Sequence, residues 1–180
     1  MAQSQSIVLG GGCFWCTEAV YVNVRGIADV ESGYANGTVD RPTYEEVCTG
    51  RTGHNEVVKL TYDPEQISTR QILEIFFVVH DPTTLNRQGN DTGTQYRSGI
   101  YFTNDEQKRE AEAIVRELAA DGIYGGKAIV TEVEPLRSYF PAEEYHQDFF
   151  AKNPTQGYCM AVAAPKVAKF RKTFAALAKA

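Results

Sequence analysis

Cysteine is scarce in this chain, at 4 of 180 residues, and tryptophan occurs once. Four thiols are too few for a disulfide framework, so in a reducing compartment a redox cysteine is better read as catalytic than as structural. Basic charge is also short. With 18 Lys and Arg against 23 Asp and Glu the net charge is −5, which leaves no diffuse positive field to hold a phosphate backbone, and nucleic acid is not an expected partner. Long apolar runs are missing: Ile75 to Val79 is far too short to span a bilayer. The opening MAQSQSIVLGGG has neither the basic start nor the apolar centre of a secretory signal. A soluble, cytoplasmic protein without membrane contact is expected. Metal ligands are sparse too, because structural zinc takes two closely spaced ligand pairs, whereas Cys48 and Cys159 stand alone and the only histidines are His54, His80 and His146. No metal is expected. No repeat, low-complexity tract or linker divides the sequence, so one domain over 1–180 is expected, with a helix over 165–180 as an extension packed on it.

What is present alternates between two periods. SIVLGGG is a short apolar run ending in glycines, followed by helical spacing through CFWCTEAVYVNV. IADVESGYANG and HNEVVKLTYD have strand character; in the second, Glu56, Val58, Leu60 and Tyr62 share one face and Val57, Lys59 and Thr61 the other. Ser68 and Gln71 form a capping box before Ile72, Leu73, Phe76 and Phe77, and the helix should stop near His80 and Pro82. SGIYFT predicts another strand, Thr103 with Glu106 a second capped helix carrying Ala111, Ile114, Val115 and Leu118, and GKAIVTEVEPL a further strand. Pro141 suits the first turn of a helix through AEEYHQDFFAKN. The tail places Val167, Phe170, Phe174 and Leu177 on one stripe of a surface helix. This interleaving favours an α+β two-layer sandwich over a doubly wound sheet.

The chemistry gathers at GGGCFWCTE, Gly10 to Glu18. Three glycines allow a sharp turn, and the helix that follows offers unpaired N–H groups and the positive end of a dipole to Cys13. A thiol with a pKa of about 8.5 is only slightly ionised at neutral pH, and a helix start lowers that value. Cys13 is therefore placed as a nucleophile. Cys16 projects from nearly the same helical face and is close enough for a disulfide after modest distortion. Phe14 and Trp15 between them can wall an apolar pocket for a methyl or thioether group. Two polar segments can supply an acid: TYEEVCTGRTGHNEVV, with Tyr44, Cys48, His54 and Glu56, and the long HDPTTLNRQGNDTGTQYRSG, with Asp91 and Tyr96. Glu56, on an otherwise apolar strand face, is suited to a pKa raised by burial.

GCFWCTEAV, GYANG, PTYEEVCTGRTGHNEVV, HDPTTLNRQGNDTGTQYRSGIY and AEEYHQDFFAKNP, in this order from about Ile7 to Asn153, closely resemble the peptide methionine sulfoxide reductase A family. The resemblance implies a ferredoxin-like α/β sandwich with a mixed or antiparallel sheet, and reduction of methionine S-sulfoxide, free or in proteins. It makes Cys13 the nucleophile, Glu56 the acid, Tyr44 and Tyr96 hydrogen-bond donors to the sulfoxide oxygen, Phe14 and Trp15 the methyl pocket, and Asp91 a carboxylate that orients the site. It also implies a cysteine sulfenic acid, which condenses readily with a nearby thiol, and thioredoxin or another dithiol as reductant in place of a bound cofactor. A monomer is expected.

The sequence departs from one common family pattern, in which glycine follows GCFW and resolving cysteines lie in a Gly-rich C-terminal tail. Here Cys16 stands after GCFW, and Cys159 lies in QGYC without such a tail. Cys16 is the first choice for the resolving thiol and Cys159 the second choice or a relay, while Cys48 is expected to be a buried structural thiol. The alternative function is a general thiol–disulfide oxidoreductase using the C-F-W-C pair alone, which leaves Glu56, Tyr44 and Tyr96 without a task.

Overall fold

A computed structural model describes residues 3–179; Met1, Ala2 and Ala180, the outer ends of the expected 1–180 domain, lie outside the described residues. The chain runs through β1 (Gln5–Gly10), α1 (Phe14–Tyr21), β2 (Ile27–Ala35), α2 (Tyr44–Cys48), β3 (Asn55–Tyr62) and α3 (Thr69–Val79). A small hairpin of β4 (Arg87–Gln88) and β5 (Asp91–Thr92) follows, then β6 (Gly99–Phe102), α4 (Asp105–Asp121), β7 (Glu132–Pro135), β8 (Tyr139–Pro141), α5 (Phe149–Lys152) and α6 (Ala164–Thr173). Six strands form one sheet in the order β7-β6-β1-β3-β2-β8, with β6 and β7 parallel and every other pair antiparallel. This is the mixed-sheet, two-layer α+β architecture expected.

The period-2 pattern of β3 decides the layering. Val58, Leu60 and Tyr62 join Ile7 and Leu9 of β1 in the main core, against Phe14, Phe76, Ile114 and Phe170 from α1, α3, α4 and α6. Val57 points the other way, into a small second cluster with Val8, Ala35 and Tyr101. Burying each large apolar side chain is worth about 1.5–3 kcal/mol, so the helix-covered face supplies most of the cohesion.

The cap at Ser68 forms as expected: its Oγ accepts the Gln71 N–H at 3.1 Å, and Gln71 Oε1 accepts the Ser68 N–H at 3.0 Å. The cap of α4 is one residue later than expected. Asn104 Oδ1 accepts the Gln107 N–H at 2.9 Å, because the Thr103 hydroxyl is committed to Ser6 O of β1 at 2.7 Å. Asn104→Ala should therefore lower stability by about 1 kcal/mol, read as a lower denaturation midpoint; equal midpoints would show that Asn104 does not hold this end.

Three further expectations are corrected. The strand through GKAIVTEVEPL is confined to Glu132–Pro135, because its parallel partner begins at Gly99 and offers no ladder for the preceding residues. Pro141 ends β8 at the sheet edge, where its missing N–H costs no ladder bond. The helix expected after it is broken: the Gln147 side chain pairs with both Ser32 N and Ser32 O at 2.9 Å, and Asp148 adopts φ 57° before the single turn of α5. The helix expected over 165–180 begins at Ala164, continuing a π-helical turn at Cys159–Ala163, and ends at Thr173. Beyond it Lys179 donates its N–H to Asn23 O at 2.8 Å, and Ala178 bridges to Val24, drawing the chain out of helical geometry. The apolar stripe is present, with Phe170 fully buried and Val167, Phe174 and Leu177 packed on the core. Among the described residues, no helix is long and apolar enough to cross a membrane.

Candidate active site

The turn between β1 and α1 is shaped by close approach. A Cβ on Gly10 would lie 2.2 Å from Asn55 Nδ2, and Gly12, at φ +96°, would put one 2.6 Å from Gln88 Cγ. Cys13 is the residue before α1, buried at 7% exposure, with no side-chain cap. The first helical N–H instead finds a partner on another element, Phe14 N donating to Glu56 Oε1 of β3 at 3.3 Å. Glu56 is 1% exposed, and its Oε2 has no partner. Burial pushes the Glu56 carboxyl up to about 8 against the opposing Phe14 N–H. It therefore holds its proton at neutral pH.

Cys13 departs from the expectation of a lowered pKa. Burial, then the charge of Glu56 and then Cys16, push the thiol well above its ordinary value, and only the Trp15 backbone N–H opposes them among the leading causes. In a dry site desolvation outweighs the helix start. The effect of Glu56 on Cys13 requires Glu56 to be charged, so the two titrations are coupled and ionisation of Cys13 is easiest while Glu56 keeps its proton.

The aromatic wall is continuous. Phe14 is fully buried beside the rings of His146 at 5.1 Å, Tyr34 at 5.7 Å and Tyr44 at 6.3 Å. Trp15 is half-buried, stacked on Phe149 at 3.7 Å with the planes 4° apart, and its indole N–H donates to His146 Nδ1 at 3.0 Å. That bond requires neutral His146 with its proton on Nε2, and burial lowers its pKa in the same direction.

Tyr44 starts α2 behind the capping box of Thr43 and Glu46, and its backbone N–H donates to Glu143 Oε2 at 2.9 Å. Tyr96 sits in a 3-10 turn, Thr94–Tyr96. Burial followed by the charge of Glu56 raises both phenols, so both remain donors at physiological pH. Asp91, on β5, accepts the Tyr158 hydroxyl at 2.5 Å. Cys13, Glu56, Tyr44, Tyr96 and Asp91 thus fall within one electrostatic neighbourhood.

Cys48 is a correction: it is exposed, not buried. Cys16 and Cys159 are both buried and free, and Cys16 Sγ lies 3.6 Å from Tyr158 Oη as a donor. Among the described residues, no three His, Cys, Asp or Glu side chains form a group able to hold a metal ion.

Three contributors escaped the sequence reading. His146 was legible only as a letter inside AEEYHQDFF, Tyr158 only as the neighbour of Cys159, and Glu18 only as a polar end to GGGCFWCTE. Glu18 is 2% exposed; it accepts the Ser32 hydroxyl at 3.1 Å and the Phe149 N–H at 3.2 Å, holding the ring on which Trp15 stacks. A carboxylate three residues after Trp15, on the same face of one helix, was the available signal.

Known proteins resemble the chain along nearly its whole length. The model of the family described as peptide methionine sulfoxide reductase matches residues 5–178. A peptide methionine sulfoxide reductase MsrA from Polynucleobacter asymbioticus is 56% identical over 169 residues, 94% of this chain and 88% of that protein. Mxr1 from Saccharomyces cerevisiae in its reduced form superposes with a TM-score of 0.81 at 41% identity, over 87% of this chain and 90% of that one. Mxr1 has also been solved in complex with Trx2; that structure gives a TM-score of 0.58 at 28% identity, over 82% of this chain and 85% of that one. Matched along nearly its whole length, the chain belongs to the peptide methionine sulfoxide reductase family.

Proposed function

We propose that the protein reduces methionine S-sulfoxide, in proteins and as the free amino acid, to methionine, acting as a cytoplasmic monomer. The observation that carries this reading is Glu56: a buried carboxyl with a free Oε2 and a pKa of about 8, placed beside a buried cysteine. Sulfoxide sulfur is a poor electrophile until its oxygen takes a proton. A neutral carboxylic acid and two phenols, Tyr44 and Tyr96, meet the oxygen where negative charge develops. Phe14 and Trp15 receive the methyl group, and Asp91 orients the substrate.

Cys13 bonds to the sulfoxide sulfur as Glu56 protonates the oxygen. The resulting hydroxyl then passes to the Cys13 sulfur, the substrate sulfur–oxygen bond and the new sulfur–sulfur bond break, and methionine leaves with the electron pair of the latter. Cys13 retains the oxygen as a sulfenic acid, so one sulfur is reduced by two electrons and the other oxidised by two. A second thiol, Cys16 or Cys159, then forms a disulfide with Cys13 and releases water. The Trx2 complex of the yeast relative supports thioredoxin as the dithiol that restores the pair, and no bound cofactor takes part.

The test is to mix reduced protein with each methionine sulfoxide epimer, quantify methionine per enzyme and map the disulfide by mass spectrometry. About one methionine per enzyme from the S epimer without added reductant, rising to about two where exchange with Cys159 frees Cys13, is expected, with Cys13 oxidised. Disulfide exchange without methionine formation would leave only the general oxidoreductase.

A further inference from the structure

Cys16 is connected to a carboxylate through one phenol. Its Sγ donates to Tyr158 Oη at 3.6 Å, and Tyr158 Oη donates onward to Asp91 Oδ2 at 2.5 Å. The connection spans three separate elements, since Cys16 lies in α1, Asp91 in β5 and Tyr158 just before the π-helical turn. Cys16 is 1% exposed, so it needs a route by which to lose its proton. Asp91 and Tyr158 also line a pocket of about 190 Å³ with Val162 and Lys166. Burial raises the Cys16 thiol above its ordinary value; Lys166 of α6 and the Tyr158 hydroxyl favour its anion, while Asp91 of the hairpin and Cys159 of the C-terminal segment oppose it.

We propose that Tyr158 and Asp91 relay the proton of Cys16 and make Cys16 the thiolate that resolves oxidised Cys13. Tyr158 touches the reacting sulfur, and Asp91 acts through Tyr158. The phenol passes its proton to Asp91 as it takes the one from Cys16. The Cys16 thiolate attacks the Cys13 sulfur of the sulfenic acid, the S–S bond forms and the S–O bond breaks. The departing hydroxide combines with the proton lost from Cys16 and leaves as water, so no outside oxidant or reductant is consumed. Cys159, in the π-helical turn packed against α1, receives the disulfide afterwards by exchange.

This inference rests on the sulfenic acid of the proposed function, and its test makes that species independently of sulfoxide. In a Cys48→Ser background, dilute hydrogen peroxide converts Cys13 to the sulfenic acid, and rapid quenching with mass spectrometry follows the Cys13–Cys16 disulfide. Tyr158→Phe should slow that disulfide at least about tenfold at pH 7 and let sulfenic acid accumulate for trapping by dimedone. The deficit should narrow toward pH 10, where solvent takes the proton, a recovery that a merely misplaced segment would not show. Asp91→Asn keeps an acceptor for Tyr158 but removes the charge, and should slow the same step. Unchanged rates in both variants, a pH-independent deficit, or Cys13–Cys159 as the first disulfide would overturn the relay. Normal resolution after peroxide but no methionine from either sulfoxide epimer would instead count against the proposed function alone.

Discussion

Replacing Cys13 by serine is expected to abolish methionine formation from methionine sulfoxide, by at least about four orders of magnitude, the scale on which removal of an essential nucleophile acts. Sulfur accepts the transferred oxygen because it can be oxidised by two electrons and still be re-reduced by a second thiol. A serine hydroxyl would have to form an oxygen–oxygen bond to do the same. The fold should survive. Cys13 lies next to the Trp15 N–H, which a hydroxyl can also meet, so the cost of burying the oxygen is held to about 1–2 kcal/mol. Single-turnover methionine release and the unfolding midpoint together make the test. Turnover above about one per cent of wild type, on a folded variant, would falsify the role of Cys13 on the scale just given.

Glu56→Gln has the second largest effect, and its two consequences have opposite signs. The chemical step should slow by about 10²–10⁴-fold, the usual contribution of a positioned acid. In the wild type the acid form is lost as pH rises through about 8, so single-turnover rates should fall there, and the glutamine variant should lack that fall. Stability should move the other way. A carboxyl whose folded pKa is raised from 4.5 to about 8 contributes stability that is complete below 4.5 and is progressively lost as pH rises toward 8. At about 1.4 kcal/mol per pH unit, the interval from 4.5 to 7 costs about 3 kcal/mol, which a permanently neutral amide avoids. Its oxygen can still accept the Phe14 N–H. The variant should be slower, and its gain in denaturation midpoint over the wild type should be larger at pH 7 than at pH 4; an unchanged single-turnover rate would remove Glu56 from the acid role.

Much of this was legible where a local rule settles the matter. The alternation along β3 assigns Val57 and Val58 to opposite faces, and Ser68 with Gln71 marks a helix start because both bonds close within four residues. What was not legible depended on partners distant in sequence. Thr103 loses its cap to a carbonyl on β1, and β7 is cut short by where β6 begins. Cys48 sits in a helix of five residues, too short for periodicity to reveal its exposed side. At the site, Cys13 and Glu56 could be picked out by residue type and position. The direction of the Cys13 shift could not, because burial, with the charges of Glu56 on β3, Cys16 on α1 and Asp91 on the hairpin, outweighs the helix start that the sequence advertises. His146 and Tyr158 likewise acquire meaning only once the far end of the chain folds back over Trp15.

The missing side chain of Gly12 has a reach beyond its own turn. The space it leaves is filled by Gln88, whose amide holds Asp81 at both backbone groups, at 2.9 Å each, three residues before Asp91 takes hold of Tyr158. The hairpin is therefore gauged at one end against the nucleophile's turn and at the other against the phenol above Cys16. It works as a spacer of set length between the first cysteine and the second. The turn before it, where Leu85 is 70% exposed, is free to drift in composition, whereas a change in the number of residues between Gln88 and Asp91 is expected to alter the timing of one thiol relative to the other.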